Sequence, residues 1–89
     1  MDTLLFIAER GVERFEIVRE DGGRAYYVFR YENERNTHDH YQTDIPMCHR
    51  CAMGEHGVLE TAWRTPTEEE LATWQKRQAE WENSTSDIN

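Results

Sequence analysis

The sequence predicts an α+β fold: a three-stranded antiparallel sheet around a central hairpin over 13–32, packed by a helix near 44–56 and a C-terminal helix near 68–82. Three observations predict it. Residues 13–32 alternate apolar and polar side chains on both sides of Asp21-Gly22-Gly23. Residues 43–57 carry the start and stop signals of a helix. Thr67-Glu68-Glu69-Glu70 is a second helix start, ahead of a stripe of bulky side chains. The order of the strands is left open.

Thr3 to Ala8 is a short, continuous apolar run of the kind that forms a buried strand, and Gly11 marks the turn that follows it. The next two strands form the hairpin, because Asp-Gly between alternating runs supplies the positive φ that a tight turn requires. A three-residue loop at Asp21-Gly22-Gly23 pairs Ile17 with Tyr27 and Phe15 with Phe29, gathering those four side chains on one face. A slip of one residue would scatter them, so this register is the expected one. The opposite face, with Val18, Tyr26 and Val28 among Arg14, Glu16 and Arg30, reads as mostly solvated. The polar stretch from Asn33 to His40 reads as a loop.

In the first helix Thr43 or Asp44 serves as N-cap, Pro46 fits the first turn where its missing N–H costs nothing, and Gly57 fits the left-handed C-terminal position. Ile45, Cys48 and Ala52 share one face, with His49 and His56 on one flank and Cys51 on the other. The connector from Gly57 to Arg64 is anchored by Val58, Leu59 and Trp63. The last helix opens with a capping box and carries Leu71, Trp74, Gln78 and Trp81 on one side. Residues 1–82 read as one domain and residues 83–89, which lack periodicity, as a disordered tail.

Composition limits the functional classes. Leu, Ile, Val and Phe are scarce for a chain of 89 residues, but aromatic residues at 11% and the clear alternation argue for a small folded domain with a thin core. No apolar run approaches the roughly 20 residues of a membrane span, and Met1-Asp2 lacks the basic start of a signal peptide. Cytoplasmic localisation with reduced cysteines is the expectation. A net charge of −8 disfavours nucleic-acid binding, which depends on neutralising phosphates. It suits a basic protein partner, or mimicry of DNA against a DNA-binding target, and it also serves solubility.

Cys48-His49-Arg50-Cys51 is the one motif with a recognised chemistry. As a zinc site it offers two thiolates, with His38, His40, His49 or His56 to complete it; His38 and His40 form a second ligand pair if the loop folds back across the helix. As a redox motif it sits too far inside the helix for its first cysteine to be acidified at the N-terminus. As core, Cys48 is a small hydrophobe and Cys51 its half-buried neighbour. A Cys–His nucleophile lacks an orienting acid and a glycine loop, so no catalytic residues are assigned. The Leu71, Trp74, Trp81 stripe either docks on the chain's own core or meets a partner or a second copy. Tyr26, on the second hairpin face, and the acids Glu68 and Glu69 complete the candidate partner contacts.

Taken together, the hairpin, Tyr41 in a polar loop, a helix closing on Glu55-His56-Gly57-Val58 and then Glu60-Thr61-Ala62-Trp63-Arg64 resembles small bacterial and phage α+β proteins. Among these are immunity proteins paired with toxins and other small inhibitors. The resemblance spans residues 13–65 and implies no catalytic residue. The expectation is a small acidic, non-enzymatic binding protein without a cofactor, with a zinc-binding module on Cys48 and Cys51 as the alternative.

Overall fold

The computed structural model describes residues 2–22, 26–33 and 35–86, and the side chains of these except at 38, 39 and 81–86. The fold is α+β. Strands β1 (Thr3–Arg10), β2 (Glu13–Arg19), β3 (Tyr26–Glu32) and β4 (Arg35–Gln42) form an antiparallel meander in the order β1-β2-β3-β4. Helix α1 (Ile45–His56), a single 3₁₀ turn at Glu60–Ala62 and helix α2 (Glu68–Ser86) follow. Helix α2 therefore continues four residues past the expected start of the tail, and residues 87–89 lie outside the described residues.

Three expectations about the sheet are corrected. The expected polar loop at 33–40 contains β4, the sheet's fourth strand. Asn33 turns the chain with φ at 51°, a left-handed conformation that asparagine tolerates better than most side chains. Beyond that turn, β4 pairs with β3 from Glu32↔Arg35 to Tyr26↔Gln42. An edge strand is held by its backbone ladder and needs no apolar alternation, so its composition did not reveal it.

The hairpin register is also displaced by one residue, with Ile17 opposite Val28 and Phe15 opposite Arg30. The reason is that both faces of the sheet are covered. Phe15, Ile17 and Val28 pack with Cys48 and Ala52 of α1, while Leu4, Ile7 and Val18 pack with Trp74 of α2. With two buried faces, nothing is gained by collecting every apolar residue on one of them. The face expected to be solvated is a second core, and β2 runs through the middle with Phe15, Glu16, Ile17 and Val18 all buried. In β1 the register shifts between Leu4 and Phe6. A bulge at Leu5 explains how Leu4 and Ile7, three residues apart, reach the same face.

The helix caps match their sequence signals. Asp44 Oδ1 accepts from the Met47 N–H at 2.9 Å. Gly57, at φ 69°, donates to Met53 O at 2.9 Å, the single bond of a left-handed C-cap, and Val58 donates to Ala52 O at 3.2 Å and is buried. Among the described residues no helix is long and apolar enough to cross a membrane.

Trp74 is the largest fully buried side chain and the main link from α2 to the sheet. Trp74→Ala is expected to lower the unfolding free energy by about 3–5 kcal/mol in a urea titration. A loss below about 1 kcal/mol would mean that α2 docks by other means.

Candidate binding surface

The connector after α1 runs back along the outer edge of β1, where Ile7 and Arg64 exchange two backbone hydrogen bonds, each 2.9 Å. That bridge places the Arg64 side chain at the start of α2. Arg64 Nη1 donates to Glu70 Oε1 at 2.7 Å, and Nη2 donates to Glu70 Oε2 at 2.8 Å and Glu9 Oε1 at 3.0 Å. Glu70 also completes the capping box: its Oε1 accepts from the Thr67 N–H at 3.0 Å, while Thr67 Oγ1 accepts from the Glu70 N–H at 3.1 Å. The Arg64 guanidinium first, and the Thr67 N–H second, hold the Glu70 carboxyl down at about 2.

Between the first turns of α2 and the sheet lies an open groove of about 670 Å³. Arg14, Tyr31 and Arg77 line it and meet at Glu16. Glu16 is 0% exposed; its Oε2 accepts from Arg14 Nε at 2.9 Å and Arg77 Nη2 at 3.5 Å. The Arg77 guanidinium also lies over the Tyr31 ring at 5.9 Å. Burial, and then the negative charge of Glu16, keeps the Tyr31 phenol protonated well above its usual range. The groove is lined further by Glu9, Glu13, Glu69 and Glu70. Glu13 is taken up by Arg30, whose Nη2 donates to Oε2 at 2.8 Å, and by Arg10 at 3.2 Å.

A second cleft, of about 240 Å³, opens on the other side of Glu9, walled by Ala8, Phe15, Val58, Leu59 and Ala62. Two exposed apolar side chains border these openings: Val12, 62% exposed, at the groove and Leu59, 64% exposed, at the cleft.

The cysteine motif lies elsewhere, in the α1 layer. Cys48 is fully buried among the core side chains, and burial pushes its thiol up to about 12. Cys51 is half-buried and also raised by burial, against an opposing hydrogen bond with Gln42. Both are free thiols. His40 stands opposite Val28 on β3, and the His38 side chain lies outside the described residues. His49 packs with Phe6 and Trp63, at ring-centroid distances of 5.6 and 5.4 Å, and His56 packs with Phe15 at 5.4 Å. Among the described residues no three His, Cys, Asp or Glu side chains gather around a common point suited to a metal ion.

The expected partner contacts divide. Trp74, 2% exposed, belongs to the core and presents no surface to a partner. Tyr26 is half-buried against the α1-side core. Glu68 and Glu69 are exposed, and Glu69 lines the groove. The Trp81 side chain lies outside the described residues. Glu16 and Arg64, which organise the surface, were not singled out from the sequence. The available signal was a glutamate embedded between Phe15 and Ile17 in the most apolar strand. No protein family, curated protein or solved structure compared with this chain matches it.

Two outcomes test this geometry. A carboxyl with a depressed pKa stabilises the fold above its unfolded value near 4.5 and loses that contribution as the pH falls toward about 2. Urea midpoints measured from neutral to acid pH should therefore fall more steeply for the natural protein than for Glu70→Gln; parallel curves would exclude the coupling. In thiol labelling at neutral pH, Cys51 should react before Cys48, with Cys48 modified only on unfolding. Equal rates would contradict the packing of α1.

Proposed function

We infer that the protein is a small acidic, non-enzymatic binding protein of the inhibitor or immunity type, acting on a basic protein surface. The observation that carries this reading is how the charges are divided. Arg10, Arg14, Arg30, Arg64 and Arg77 are all ion-paired to carboxylates of the same chain. Half of the ten basic side chains are thus spent on internal partners, while Glu60, Glu68 and Glu69 stand exposed. The net charge of −8 is carried on the surface, where it attracts a basic partner and speeds encounter. The burial of Cys48 among Phe15, Ile17, Val28 and Ala52 supports a packing role for it.

The test is reconstitution. A protein captured on the immobilised chain is purified and titrated back against it at rising salt. A defined complex whose affinity falls roughly tenfold or more from about 50 to about 300 mM salt is expected. An affinity indifferent to salt, or a complex lost on Cys48→Ser in a form that is still folded, would overturn the reading.

A further inference from the structure

Five large apolar side chains stand exposed among the described residues: Val12, Tyr41, Met47, Met53 and Leu59. Tyr41, Met47 and Met53 border neither opening, whereas Val12 borders the groove and Leu59 the cleft. The two openings lie on opposite faces of the sheet and share Glu9 of the edge strand β1 as a common wall, so a segment passing around that edge reaches both. On the Leu59 side the walls are mostly apolar, with Arg10 lying over the Phe15 ring and its charge taken up by Glu13. On the Val12 side they carry four glutamates against two arginines, and both arginines are already held by Glu16 beneath.

Not all of those carboxylates are open to a guest. Glu70 gives both oxygens to Arg64, and Glu13 gives both to Arg10 and Arg30. Glu9, with its side chain 53% exposed, uses one oxygen on Arg64, and Glu69 has no ion pair among the described residues. The charge available to a guest is therefore negative and lies at Glu9 and Glu69, next to an apolar cleft. A cation placed there meets Glu9, fixed by Arg64 on one oxygen, and the exposed Glu69, and an apolar side chain beside it leaves water for the walls of Phe15, Val58 and Leu59.

We propose that this end of the sheet is the docking surface for an extended segment of a basic partner protein. The segment seats an apolar side chain in the cleft beside Leu59 and a neighbouring lysine or arginine between Glu9 and Glu69. This inference rests on the function proposed above and adds where and how the partner is held.

The probe is a random linear peptide library displayed on phage, selected on the folded full chain, with selected peptides synthesised and titrated. Selected peptides should share an apolar residue next to a lysine or arginine. Leu59→Glu and Glu69→Lys, both at exposed positions, should each weaken binding about tenfold, and Glu55→Lys on α1 should leave it unchanged. Unaltered circular dichroism and melting would show that both variants remain folded. Basic peptides that lose binding on Glu55→Lys but not on Leu59→Glu or Glu69→Lys would overturn this surface while leaving the acidic binder reading intact. Selection of peptides without basic residues, or of none, would overturn the surface as well. The salt titration of the reconstituted complex decides the broader reading separately.

Discussion

The architecture depends on Arg64. Its backbone extends the sheet by one pair of hydrogen bonds beside Ile7, and its guanidinium holds Glu70 in the first turn of α2 and Glu9 on β1. One residue thus joins the edge of the sheet, the connector and the second helix. Such a bidentate pair between guanidinium and carboxylate is both strong and directional. Here it orients α2 so that Trp74 falls on Ile7 and Val18. Without that anchoring, α2 would be a mostly polar helix seated, among the described residues, by Leu71, Trp74 and the Arg77–Glu16 pair.

The sheet makes economical use of a chain poor in aliphatic residues. Because a helix lies over each face, β2 buries both sets of its alternating side chains, and each apolar residue there serves one of two cores. The arrangement also places Glu16 in the interior. Its carboxylate is desolvated and held by Arg14 and Arg77, a costly environment for a charge unless it is paired. The pair links the hairpin to α2 at a point where apolar packing alone would leave the helix free to slide.

What could be read from the sequence follows the range of the interactions. The Asp44 cap, the Gly57 terminus and the Thr67–Glu70 box are local chemistry, complete within a few residues, and each is found where its motif stands. The hairpin register and β4 were hidden for the opposite reason. Register depended on a second helix arriving on the far face, and β4 depends on backbone pairing with β3. The same division applies to the candidate surface. Glu69 was legible as an exposed acid in a capped first turn. Arg64, Glu16 and the paired openings are assembled from residues as far apart as 9 and 64, with no local pattern to announce them. The cysteines stood out as a motif, yet the fold places Cys48 where a small apolar side chain is needed.

The irregularity in β4 bears on how the molecule keeps to itself. An unpaired strand edge is a template on which another chain can grow. The pairing of β3 with β4 shifts between Arg30 and Tyr31, leaving Thr37 as an extra residue that folds its hydroxyl onto Arg30 O at 3.2 Å. That break spoils the even spacing of backbone groups that an incoming strand must match, and the exposed Arg35, Asn36 and Thr37 beside it contribute little greasy surface. At the other margin, the Arg64 bridge occupies part of β1. The sheet's two rims are thus interrupted by different means, a backbone bridge along part of β1 and a bulge against β4.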